Sequence, residues 1–136
     1  MRNEDKRYGG EFYVESCRIV DVLPWVESLI GPVNCVYTSE HPTGRVQMFD
    51  GERDGQHIRV VIGEQDPHGP WTNVLFGGPG SIHLPWTTEV EMARQAFAHL
   101  KRRIRCDPGL LAQHGPLSDE FWEIDAFGER VIVLND

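Results

Sequence analysis

The side chains best suited to acid–base, nucleophilic or metal chemistry are six histidines and three cysteines, and none stands at a diagnostic spacing. His41, His57, His68, His83, His99 and His114 are scattered, with no H-E-x-x-H and no C-x-x-C. A zinc site is therefore not indicated. The odd number of cysteines, Cys17, Cys35 and Cys106, argues against a disulfide framework. They read as buried or half-buried thiols in a reducing compartment. Ser81 and Ser118 lie in no nucleophile-elbow context. His57 and His83 remain open to pairing with an acid that the fold brings near, which would make an acid–base pair.

Two stretches imitate ligand-binding loops. Gly77-Gly-Pro-Gly-Ser81 follows a strand-like run, but it has no lysine and Pro79 removes a donor N–H. Asp50, Glu52 and Asp54 hold the first, third and fifth places of a calcium loop, with Gly55 at the sixth. The twelfth place calls for an acid and holds Val61. Both stretches read as turns, and no cofactor, metal or catalytic residue is assigned.

Charge is more informative. The net charge is −8 and unevenly spread. Residues 107–136 carry seven acids against Arg130 alone, whereas residues 87–106 carry two acids and five bases. Such a chain repels nucleic acid and suits a basic protein partner, since complementary fields speed encounter. Solubility alone also accounts for an acidic balance. Trp122 sits among carboxylates in Asp119-Glu-Phe-Trp-Glu-Ile-Asp125, as aromatic anchors at interfaces often do. The candidate partner-binding residues are accordingly Asp50, Glu52, Asp54, Asp119, Glu120, Trp122, Glu123 and Asp125. Trp71 and Trp86, flanked by loop signals, are open to either role, whereas Trp25, Phe97 and Phe121 are assigned to the core.

The elements that must position these residues follow from periodicity. Residues 1–10 read as a flexible start and residues 11–136 as one α+β domain. Strands are expected at Glu11–Cys17, Asn34–Ser39, Arg45–Phe49, His57–Ile62, Trp71–Phe76, Phe121–Asp125 and Arg130–Leu134. Asp50–Gly55 reads as a hairpin turn, Ser81–Leu84 as a short extended piece and Gln65–Pro70 and Pro108–Pro116 as loops. A short helix spans about 21–30, capped by Asp21 and stopped by Gly31-Pro32. A long helix spans about 88–105, with Thr88 and Glu91 as a capping box. Its buried stripe is Val90, Ala93, Phe97, Leu100 and Ile104, and Pro108 follows its end. The expected fold is an antiparallel sheet packed against these two helices. No apolar run reaches the roughly 18 residues of a membrane span, and Met1–Arg7 lacks a secretory apolar stretch. A cytoplasmic location is expected.

From Asn73 onward the order of motifs carries a resemblance. Val74-Leu-Phe76 leads into the Gly-rich turn, then Ile82-His-Leu-Pro85, then Ala93-x-x-Ala96-Phe97, then Asp107-Pro108 and Trp122-Glu123. This half of the chain resembles the first-numbered family of immunity proteins from bacterial polymorphic toxin systems. The resemblance implies a protein that binds and neutralises a cognate toxin domain, often a nucleic-acid deaminase or nuclease. It brings no catalytic residues. With the acidic balance, the expected partner is a toxin domain with a basic surface, with no direct nucleic-acid or membrane contact, and the chain is expected as a monomer or small homo-oligomer. The residues themselves leave two other readings open: a small ligand-binding protein or enzyme with an unrecognised pocket, and a subunit of a larger complex.

Overall fold

Alternation of apolar and polar residues organises most of this chain into strands, and the computed structural model describes residues 9–65, 70–114 and 119–134. In chain order the elements are β1 (Gly10–Glu15), α1 (Ile19–Ile30), β2 (Asn34–His41), β3 (Gly44–Arg53), β4 (Gln56–Gln65), β5 (Trp71–Gly77), α2 (Glu89–Leu100), β6 (Ile104–Cys106), β7 (Glu120–Asp125) and β8 (Gly128–Val133). The strands form one antiparallel sheet in the order β2-β3-β4-β5-β1-β6-β7-β8. The first strand thus sits inside the sheet, between β5 and β6. The α+β reading holds, with the sheet larger than expected.

Register fixes two unlike faces. Phe12 is opposite Val74 and Cys106, Val74 is opposite Ile62, and Ile104 is opposite Ile124. These residues point to one side, where α1 lies over β3 and β4, and α2 over β1, β6 and β7. Because side chains alternate along a strand, Tyr13, Trp71, Asn73, Arg105 and Phe121 point to the other side, which neither helix covers.

The helix-facing core is built round Trp25. Its ring lies 5.6 Å from Phe12, 5.8 Å from Phe76 and 6.1 Å from Trp86, the last pair stacked. Such pairs add about 0.5–1.5 kcal/mol each beyond burial. Trp86, left open between interface and core by its flanking loop residues, is buried, and its indole N–H donates to Gly9 O at 2.7 Å.

The long helix is shorter than its periodicity predicts. It ends at Leu100, where Lys101 takes a left-handed conformation (φ 57°) and donates its N–H to Phe97 O at 2.9 Å. Ile104 leaves the helical stripe and, with Cys106, becomes an inward residue of β6. Apolar residues four apart fit a helix turn or two alternations of a strand. Pairing with the free edge of β1 decides between them. At the other end Glu91 N donates to Thr88 Oγ1, as the capping pattern requires, while the Glu91 carboxylate reaches back to Thr87 N.

Other boundaries shift for similar reasons. α1 starts at Ile19, so Asp21 is not its cap but sits in its first turn and accepts the Arg18 N–H. The turn expected over Asp50–Gly55 narrows to Asp54-Gly55, because Asp50 to Arg53 pair with β4. Both turn residues have positive φ, 54° and 76°, the conformation of a two-residue hairpin and the reason for Asp-Gly there. Pro79–His83 forms a 3-10 turn, not an extended piece. A second 3-10 turn, Gly109–Leu111, lies in the loop after β6. Gly10, placed in the flexible start, opens β1 and is buried. Residues 1–8 of that start, His68 and Ser118 lie outside the described residues. Among the described residues no helix is long and apolar enough to cross a membrane.

Candidate functional site

The carboxylates singled out from sequence are distributed over both faces of the sheet. Asp50 and Glu52 lie on β3, and Glu123 and Asp125 on β7, on the helix-free face. Four strands separate β3 from β7. Glu120 and Trp122 point to the helix side, Asp54 is in the hairpin turn and Asp119 precedes β7. The eight residues therefore do not form one patch.

Most of these acids also have partners within the chain. The Arg59 guanidinium binds both oxygens of Asp50, at 2.8 and 3.1 Å, and His57 Nε2 lies 3.1 Å away. The hydrogen bond from Arg59 is the chief reason its pKa falls to about 2. Glu120 is buried and accepts the backbone N–H groups of Gln113 and His114 at 2.7 Å, which hold its pKa below the usual range. Glu123, also buried, binds Arg105 and Arg130, both at 2.9 Å. Arg130 also holds Asp125, chiefly by a 2.8 Å hydrogen bond that lowers its pKa. Trp122 is half-buried and its indole N–H donates to Glu129 at 2.9 Å. Of the eight, Glu52, Asp54 and Asp119 are exposed.

Local alternation explains this outcome. A strand as rich in charged and aromatic residues as β7, where Ile124 alone is aliphatic, turns some of them inward. The inward and edge acids then require cations or amides to offset desolvation.

Among the described residues histidines meet carboxylates at two places: His57 with Asp50, and His114 Nδ1 with Glu120 at 3.2 Å. His83 accepts from Arg53 through its backbone oxygen, and its ring binds no carboxylate among the described residues. His41 Nε2 shares a 2.7 Å hydrogen bond with Ser39 Oγ on exposed β2. No carboxylate binds His41 among the described residues. Ser81 is buried and its hydroxyl donates to Gly78 O within the 3-10 turn. Cys17 and Cys106 are buried, and burial pushes both thiol pKa values up. Cys35, expected to be at least half-buried, is exposed. Among the described residues no three His, Cys, Asp or Glu side chains gather as metal ligands would.

A well-formed concavity lies on the helix-free face. It is a hollow of about 530 Å³, within the range of ligand sites. Its walls include Tyr13, Trp71, Phe121 and Leu134, and Val46 and Gly63 also line it. Residues of β3 and Leu134, which follows β8, share this hollow although they lie near opposite edges of the sheet. The sheet therefore curls toward its uncovered side. Tyr13 and Phe121 meet edge to face at 6.5 Å, and the Arg105 guanidinium lies 4.4 Å over Trp71. Burial, chiefly, and the neighbouring carboxylate of Glu11 raise the Tyr13 pKa.

Gly63 stands in mid-strand on β4, where a Cβ would come 3.0 Å from Asn73 Oδ1 and 3.6 Å from Val46 Cγ2. Asn73 in turn donates its amide to Glu11. Sequence reasoning placed Gly63 just past its strand and missed the hollow. A glycine within an otherwise β-branched strand is the signal that marked it.

Behind the rim, Glu64 is 6% exposed and accepts Arg18 Nη2 at 3.1 Å and Ile19 N at 2.7 Å. Burial works against its charge, but the donors outweigh it and its pKa lies below the usual range. Comparison with family models, with curated proteins and with solved structures finds no match to this chain.

Proposed function

We propose that this chain is a binding protein that works through the helix-free face of its sheet, and that it serves as an immunity protein, neutralising a cognate toxin domain. The observation that carries the binding role is a sheet covered by helices on one side only. Its other side presents Val46, Met48, Val61, Leu75, Trp71, Tyr13 and Phe121, all half-buried, among charged residues. Large aromatic and apolar residues set among charges suit protein recognition. The likeness of the C-terminal half to immunity proteins supplies the identity of the partner class. The net charge of −8 supports a partner with a basic surface. On this reading the protein acts in the cytoplasm, as a monomer or small oligomer, and contacts neither nucleic acid nor membrane.

The test is co-expression with the polypeptide encoded beside this chain. That polypeptide should arrest growth, this chain should restore it, and the two should form a complex of defined stoichiometry. Failure to restore growth, or absence of a complex, overturns the reading. Within such a complex, Glu52→Lys with Asp54→Asn should slow association and weaken its salt dependence. These two are suitable because both are exposed, whereas reversing Glu120 or Glu123 would break internal pairs.

A second reading, a small-ligand protein, is favoured by the size of the hollow alone.

A further inference from the structure

We propose that the hollow on the helix-free face binds a small carboxylic acid with a flat apolar body. This goes beyond the partner reading and does not rest on it.

Size and walls set the body of the ligand. About 530 Å³ bounded by Trp71, Tyr13 and Phe121 accommodates a ring or a branched apolar group. Gly63 keeps the floor open, since a side chain there would project toward Asn73 and Val46.

The charged group follows from the donors that remain. Arg105 uses Nε on Glu123 and its guanidinium face on Trp71. Its two terminal nitrogens have no hydrogen-bond partner among the described residues, although the side chain is only 20% exposed. An arginine held this way presents the paired N–H edge that receives a carboxylate bidentately. A second guanidinium, Arg45, stands at the rim, held by Glu40 through Nε and Nη2. Among the described residues the one carboxylate that lines the hollow is Glu64, and both its oxygens are engaged, by Arg18 and Ile19. Among the described residues the open charged donors are thus the terminal N–H groups of Arg105, while the oxygens of Glu64 are engaged. In a chain of net charge −8, that local reversal selects an anion over a cation.

Isothermal titration of the full chain with phenylacetate and with phenylacetamide tests this. Phenylacetate should bind saturably with Kd on the order of 0.1–1 mM, a reasonable affinity for so small a ligand. The amide should bind at least about tenfold more weakly, having lost the charge-assisted pair. Arg105→Gln should bring the acid down to the level of the amide. Because Arg105 also braces Glu123, Gly63→Val provides the independent variant. It fills the floor, suits a strand, and should abolish binding while circular dichroism stays unchanged. Equal binding of acid and amide, absence of saturation, or unimpaired binding by Gly63→Val would overturn the site. Acetyl-Gly-Phe, with a free and with an amidated terminus, separates a free acid from a chain terminus of the same chemistry. Tighter binding of the free peptide than of phenylacetate would overturn the assignment to a small acid.

Discussion

Glu64 on β4 accepts the backbone N–H of Ile19 at 2.7 Å, so the first turn of α1 is closed by a side chain 45 residues away. Arg18 completes the arrangement at 3.1 Å. A helix start ordinarily takes its cap from the adjacent residue. Here a buried carboxylate ties a helix to the sheet.

Glu64→Ala should cost about 1–3 kcal/mol, since it leaves a helix-terminal amide without its acceptor. Urea unfolding at neutral pH measures it. The sign with pH follows from the lowered pKa of Glu64. The contribution is present above the unfolded value of about 4.3 and fades as pH falls through the lower folded value. The difference between parent and variant should therefore shrink in acid.

Lys101→Gly should stabilise the protein by about 0.4–1 kcal/mol, because glycine removes the strain of φ 57° at the end of α2. Were the helix continuous to Arg105, the same change would cost about 1 kcal/mol. The sign of the shift in thermal midpoint decides between the two.

Glu89→Gln should raise stability at pH 8 and change it little at pH 4. Burial, chiefly, pushes the Glu89 pKa up to about 7 despite the N–H of Glu11 at 3.0 Å. A carboxyl whose folded pKa exceeds its unfolded one favours the fold below about 4.3, and this contribution is lost as pH rises through 7. The gain on substitution should be on the order of 1–3 kcal/mol. Urea midpoints of parent and variant at the two pH values check it.

Trp86→Phe should cost about 1–3 kcal/mol by leaving the Gly9 carbonyl without its indole donor and loosening the stack on Trp25. Near-ultraviolet circular dichroism should lose intensity with it.

Local alternation and turn chemistry made most of the fold legible. Arg45 to Phe49 and His57 to Ile62 declare their strands, and Asp54-Gly55 declares its hairpin, because each rests on neighbours in sequence. The exchange of helix for strand at Ile104 was not legible, since only the distant edge of β1 distinguishes the two. The partner acids were legible as charge but not as exposure. Glu123 looks free beside Trp122 until Arg105 and Arg130 arrive from other strands. The hollow depends on curvature across the whole sheet, which no local pattern encodes, and Gly63 was its one local trace.

The interior position of β1 has a consequence for how the chain is made. Phe12 and Val14 are synthesised before either flanking strand: Trp71–Gly77 comes some sixty residues later and Ile104–Cys106 some ninety. Between these events β2 to β5 close as successive hairpins, which need only short loops. The first strand docks beside the last of these, and β6 with the β7–β8 hairpin adds to its remaining edge. Such long-range closure slows folding relative to the hairpins. On the ribosome, both edges of this strand wait for partners that are made much later.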